Sequence, residues 1–529
     1  MNPIRNTRFL ASLVAVLALA SAEAQTSPAV PRLVVGILID QLRSDYLEAF
    51  SPLYGERGFK RLLREARMYT QAEYPFSHPD RASASACLYS GTSPYNNGIV
   101  GAMWMNRSTL RPVYCVDDEA WKGFLTTESS SPRFLGVSTI VDELKVATEG
   151  RALAYSIAPF RDAAVLSAGH AADGAFWIND LTGQWCGTSY YGDYPQWAVA
   201  YDQYMPLGQR ISSLTWTPMN DLVGNFNYFI SGGMKQPFKH SFSGPRKFRA
   251  FKASACVNEE VNRFALHCAQ HTALGMDGVT DFLGITYYSG NYDHQTLSDS
   301  PMELQDTYVR LDRDLGALMD ALEKKVGAGN VLFVVTSTGY ADQETSDLSK
   351  YRIPTGTFSL DKAAALLNMY LMAVYGQGQY VETKYGAQLY LNHKLIEEKQ
   401  LNLTEVLGRS QDFLMQMSGV KDVYTSQRLT LGAWTPGINR IRNGYNPKCS
   451  GDILIEVAPG WNLVHEELNE KTLIRESYMG FPLFFLGCNI PTEVVKTPVT
   501  VDCVAPTLAQ FMRIRAPNAC SAAPLTGLR

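Results

Sequence analysis

Short apolar runs recur along the whole chain: LVVGILID (33–40), ALAYSIA (152–158), FLGITYY (282–288), VLFVVTSTG (331–339), ILIEVAP (453–459) and FPLFFLG (481–487). They are continuous stretches, as expected of strands covered on both faces in a mainly parallel sheet. Helical periodicity lies between them. In residues 303–325, Leu304, Tyr308, Leu311, Leu315, Leu318 and Leu322 step by three or four, with charged residues on the opposite face. VNEEVNRFALHCAQHTAL (257–274) is a second such segment and ends before Gly275. Strands alternating with helices predict a doubly wound α/β fold with a mainly parallel central sheet and helices on both faces.

Two regions break that rhythm. Residues 180–252 are rich in Tyr, Trp, Gly and Pro, and read as an aromatic insertion over the sheet's upper edge. Residues 350–450 mix helical and strand patterns, and read as a second insertion. The remainder of 32–529 forms the main domain. A length of 529 residues, 46% hydrophobic, suits one large domain with insertions. The net charge of −4 lacks the basic excess of a general nucleic-acid binder.

Arg5 and Arg8 precede the apolar run FLASLVAVLALA (9–20), and Ser21-Ala22-Glu23-Ala24 follows. A basic start, a short apolar core and a small-x-small site predict a secretory signal over 1–24, with 25–31 as a linker. The expectation is an exported protein, periplasmic, outer-membrane associated or secreted, with no membrane span. Its nine cysteines are an odd number, so at least one stays free or pairs with another chain. Cys87, among Ala and Leu, reads as a small buried hydrophobe.

Chemistry in open α/β sheets gathers at the carboxyl ends of strands. Asp40 closes LVVGILID at such an end, where it suits either a metal ligand or a helix N-cap. HPDRASASACLYSGTSPYNNGIVG (78–101) reads as a tightly packed helix leading into a loop. Asp80 fits its N-cap.

In order along the chain, GILIDQLRSDYL, the helix before YSGTSPYNNGIVG, SAGHAADGAFW, ELQDTYVRLDRDLGALMDALEKKVG, SGDILIEVAPGW, FPLFFLG and VDCVAPTLAQFM resemble the alkaline phosphatase superfamily. The nearest likeness is to single-chain bacterial alkaline phosphatases, grouped with type I phosphodiesterases and nucleotide pyrophosphatases. It spans nearly everything after the signal. The resemblance implies a two-zinc hydrolase with Asp and His ligands and a Thr or Ser nucleophile. A Lys–Arg pair or an Asn would clamp the phosphoryl oxygens.

Matched position by position, Asp40 holds the place of a metal ligand. The nucleophile's place holds Arg81, and the Asn expected after Gly98-Ile99 is Ala102. Lys-x-Arg falls on Phe160 and Asp162, and the Asp-x-x-x-His pair on Asn291 and Gln295. Asp-His-Gly reads Thr338, Gly339 and Tyr340, and the last His falls on Gly480. The resemblance thus implies a fold whose metal site has degenerated to a single retained ligand. A guanidinium about 4 Å from a divalent ion opposes it by roughly 8 kcal/mol at an effective dielectric of 20. The expectation is an Asp40–Arg81 ion pair in place of metal.

Other candidates have plain readings beside functional ones. Asp293-His294 would restore an Asp and a His only by a shift of register, and at the wrong separation. His267 and His271 share a helical face but lack a third ligand. KHSFSGPRKFRAFK (239–252) interleaves basic and aromatic residues, which suits either an anion cradle or a solvated loop. Ser83 and Ser85, with His78 as base, are substitute nucleophiles or simply small helix residues. The resulting expectation is an exported pseudoenzyme that needs no cofactor and binds an envelope partner or an anionic ligand. The alternative is an active phosphate- or sulfate-ester hydrolase with a rearranged site and zinc.

Overall fold

A computed structural model describes residues 30–223, 238–295, 300–341, 354–432, 435–466, 470–473 and 480–528. The expected signal segment lies outside the described residues. Among them, no helix is long and apolar enough to cross a membrane.

Among the described residues, the central sheet has eleven strands. Eight of them matter here: β1 (Leu33–Asp40), β2 (Arg67–Glu73), β3 (Ala154–Ile157), β4 (Gly174–Ile178), β5 (Trp185–Thr188), β6 (Asp281–Tyr288), β7 (Val331–Ser337) and β8 (Phe481–Gly487). Their order across the sheet is β2-β8-β7-β1-β6-β3-β4-β5. Strands β7, β1, β6, β3 and β4 are parallel neighbours. β8 runs antiparallel to both β7 and β2, and β5 antiparallel to β4, so the sheet is mixed toward its edges.

The continuous apolar runs are explained by what covers each face. In β1, Leu33, Val35, Ile37 and Ile39 enter one core with Leu304, Tyr308, Leu311 and Leu315 of the helix Pro301–Val326. Val34 and Leu38 enter the opposite core with Ala82, Ala86 and Tyr89 of the helix Arg81–Ser90. Side chains alternate with period two, so a strand covered by helices on both faces must be mainly apolar along its length. Gly36 leaves room for a side chain of that second helix: a Cβ there would lie 2.9 Å from the Tyr89 hydroxyl and 3.2 Å from the Phe282 ring.

One strand expectation is corrected. Ile453–Val457 does not join the central sheet but pairs antiparallel with Val420–Thr425 and Gln388–Leu391 in a separate four-stranded sheet. Its Ile453, Ile455 and Val457 are buried while Leu454 and Glu456 are half-exposed, the alternation of a strand covered on one face only. This sheet packs with the helices Leu360–Tyr375 and Leu403–Leu414 around a core of its own that includes Leu367, Val406, Val423 and Ile455.

The basic–aromatic stretch is also corrected, since it is not a solvated loop. Phe242, Phe248 and Phe251 are buried in the main core, and the helix Lys247–Lys252 carries the last two. Within the expected aromatic insertion, β5 is itself a sheet strand, and its Trp185 stacks on Phe264 at 4.1 Å. All nine cysteines are free thiols, and Cys87 is fully buried.

Candidate functional site: a buried ion-pair triad at the carboxyl edge

Asp40 continues the face of β1 that carries Val34, Gly36 and Leu38, so its carboxylate emerges on the side of the helix Arg81–Ser90. The chain then turns sharply through Gln41, whose φ is +67° and whose N–H donates to Thr338 Oγ1 at 2.9 Å. Thr338 follows β7, the parallel neighbour of β1, and its hydroxyl donates to Asp40 Oδ1 at 3.0 Å. The Tyr340 hydroxyl also hydrogen-bonds Asp40. The N–H and hydroxyl of Ser289, just past β6, both donate to the Asp40 carbonyl at 2.9 Å.

Arg81 opens its helix because Asp80 caps it: Asp80 Oδ1 accepts from the Ser83 N–H at 2.9 Å, and Ser83 Oγ accepts from the Asp80 N–H at 3.0 Å. The Arg81 side chain reaches across the carboxyl edge. Nη1 lies 3.3 Å from Asp40 Oδ2, and Nε lies 2.9 and 3.2 Å from the two oxygens of Asp162. The guanidinium carbon sits 3.8 Å from the centroid of the Phe160 ring. Asp162 occupies the first turn of the helix Arg161–Ala168, where a carboxylate is favoured by the helix dipole, and it accepts from the Ala163 N–H at 2.8 Å. Lys252 Nζ lies 5.0 Å from the same Phe160 ring and donates to the Ile178 carbonyl and to Asp180.

Both carboxylates are fully buried, and the Arg81 side chain is 17% exposed. Burial pushes the Asp40 carboxyl above its ordinary range, against the pull of Arg81. Burial also opposes the charge on Arg81, but Asp162 and Asp40 outweigh it and hold the guanidinium well above its ordinary value. Arg81 is a permanent cation here, chelated by one carboxylate, tethered to a second and stacked on an aromatic face.

The structure brings Asp40, Arg81, Phe160, Asp162 and Thr338 together. The other expected positions serve the scaffold. Ala102 donates its N–H to Asp80 Oδ2 at 2.6 Å, which ties the following loop to the helix cap. Gly339 has φ +73°, and a Cβ there would come within 2.7–2.8 Å of the Tyr74 and Phe481 rings; Gly480 directly precedes that Phe. Asn291 is buried in its own loop, where its amide donates to the Gln295 carbonyl at 2.9 Å, and Gln295 itself is exposed.

Asp293 and His294 are exposed, on a short turn with positive φ at both residues. His267 Nε2 lies 3.0 Å from the Trp197 carbonyl and His271 Nδ1 lies 2.9 Å from the His267 carbonyl, so both imidazoles are satisfied by backbone. Ser85 donates to the Arg81 carbonyl at 2.7 Å and Ser83 belongs to the capping box, so neither stands as a nucleophile; His78 is exposed.

Sequence reasoning placed Asp162 only as a lost Lys or Arg and missed its grip on Arg81. The available signal was an acidic residue just past a short apolar run, as at Asp40. Tyr340 was named only as a replaced Gly, although its hydroxyl is a partner of Asp40.

The two zinc ions implied by the resemblance do not fit this donor set. Asp162 is occupied by Arg81, the other groups on Asp40 are neutral hydroxyls, and a guanidinium stands where a cation would bind. Among the described residues, no three His, Cys, Asp or Glu side chains converge to hold a metal ion.

Residues 34–480 match the model of the family "Type I phosphodiesterase / nucleotide pyrophosphatase", and the chain belongs to that family. Among named relatives it is similar to the alkaline phosphatase PafA of Elizabethkingia meningoseptica, 28% identical over 95% of this chain and 96% of that protein. The alkaline phosphatase PhoV of Synechococcus elongatus is likewise 28% identical, over 92% and 91%. The crystal structure of wild-type PafA superposes with a TM-score of 0.82 at 27% identity, covering 95% of this chain and 99% of that one.

Proposed function

We propose that this chain is a catalytically degenerate member of its phosphoester-hydrolase family, acting by binding from an exported location. Its role would be that of a subunit of an envelope or secreted assembly, or of a receptor for an anionic ligand. The observation that carries the reading is Arg81 held between Asp40 and Asp162 at 3.3 and 2.9 Å, which supplies internally the positive charge that metal ions would otherwise provide. Fold can outlive its original chemistry, because the packing that builds it does not depend on the site residues.

The names of the relatives, taken alone, fit a second reading better: an active hydrolase of phosphate or sulfate esters with a rearranged, zinc-containing site. Its support is similarity to alkaline phosphatases over more than nine-tenths of both chains.

Metal content of the purified full-length protein separates the two. The first reading expects far less than one zinc per chain and no chelator-sensitive cleavage of a chromogenic phosphate ester. It also expects Arg81→Thr to restore neither, since the other ligand positions stay empty of His. About two zinc ions per chain, with cleavage abolished by chelator, would establish the second.

A further inference from the structure

A second polar cluster lies in a cleft of about 730 Å3, within the size range of small-molecule sites, that shares no lining residue with the triad. It lies beside the separate sheet of Ile453–Val457, among the helices His393–Glu398, Leu403–Leu414 and Ser426–Leu431, with Arg107 contributed from the turn of the hairpin Met103–Asn106/Arg111–Tyr114. Asp452, just before Ile453, is almost fully buried and accepts from four donors. Arg107 Nη1 and Nη2 lie at 3.0 and 3.2 Å, His393 Nε2 at 2.9 Å and the Leu391 N–H at 2.7 Å.

Two potential cations therefore converge on one carboxylate. Arg107 is pinned further by the Ser450 carbonyl at 2.8 Å, yet its Nε–H is buried with no partner. His393 is 46% exposed, and with Nε2 turned to Asp452 its Nδ1 has no protein partner among the described residues. Apolar groups of Leu403, Leu407, Tyr445 and Pro447 line the cleft beside the hydroxyls of Thr404 and Thr430.

We infer that this cleft binds a small organic anion, its charged group on the His393 imidazolium and its apolar body against Leu403, Leu407 and Tyr445. A cation is disfavoured because the lone pairs of Asp452 are already engaged. When His393 is protonated, the Arg107–Asp452–His393 cluster carries one net positive charge; when it is neutral, none. The other charged groups around His393 are Lys394, Glu382 and Glu397. The hydrogen bond that His393 donates to the Asp452 carboxylate raises the His393 pKa above its ordinary value, so the protonated form extends toward neutral pH. This inference is independent of whether the triad replaces metal.

The test is calorimetric titration of the full-length protein with phenyl sulfate, whose charge does not change over the range used, and with neutral benzyl alcohol. Phenyl sulfate is expected to bind at about pH 6 and to weaken about tenfold by about pH 9, as one charge-assisted hydrogen bond is lost. His393→Gln is expected to bind about tenfold more weakly at pH 6 and to lose the pH dependence. On the unaltered protein, phenyl sulfate should slow modification of His393 by diethyl pyrocarbonate, read by peptide mass spectrometry. Failure of phenyl sulfate to bind at pH 6, equal affinity of the His393→Gln protein, equal binding of benzyl alcohol, or unslowed modification of His393 would each overturn the proposal.

Discussion

Arg81 and Asp162 meet with Nε 2.9 and 3.2 Å from the two carboxylate oxygens, although 81 positions separate them in the chain. The contact joins the first turns of two helices packed side by side on one face of the sheet, and Asp40 receives the free end of the same guanidinium. One cation thus serves two fully buried carboxylates.

Removing that cation should be costly. Arg81→Ala leaves Asp40 and Asp162 buried without a counter-charge, and breaking a buried pair destabilises by about 3–5 kcal/mol. Arg81→Lys keeps the charge but loses the fork and the stacking on Phe160, so a smaller loss of about 1–3 kcal/mol is expected. Urea unfolding of the two variants checks the order. A lysine variant as unstable as the alanine one would mean that geometry, rather than charge, carries the triad.

Asp202 should report on pH. Burial pushes its carboxyl up from 3.8 to about 7, although the Trp185 N–H donates to it at 3.1 Å. The folded state therefore favours the protonated form, and the stability associated with it is present below pH 3.8 and lost as pH rises toward 7. Asp202→Asn keeps an acceptor for Trp185 and cannot ionise. Its melting temperature relative to wild type should climb between pH 5 and 7 and then level off, at a gain of about 2 kcal/mol. A constant difference across that range would show that Asp202 ionises freely.

Gly36 tests the packing that presents Asp40. A methyl there would meet the Tyr89 hydroxyl and the Phe282 ring, and overpacking of this kind costs about 1–3 kcal/mol. Gly36→Ala should lower the unfolding midpoint in urea without changing the slope of the transition. An unchanged midpoint would mean that Tyr89 swings away without penalty.

The sequence by itself determined the central strands, because a strand covered by helices on both faces has to be mainly apolar along its length, and β1, β6, β7 and β8 are buried nearly throughout with polar residues such as Asp40, Asp281 and Ser337 gathered at their ends. It also determined what each site position can offer: Arg81 cannot act as a hydroxyl nucleophile, and Thr338-Gly339-Tyr340 supplies no imidazole. Only the tertiary structure decided that Asp162 would close on Arg81, that Ile453–Val457 would leave the central sheet, and that Arg107 and His393 would share Asp452. Those outcomes depend on which helices and sheets pack together. Electrostatic contact falls off within a few Å in space and leaves no period along the chain, whereas burial of a strand or helix face repeats every few residues and can be read directly.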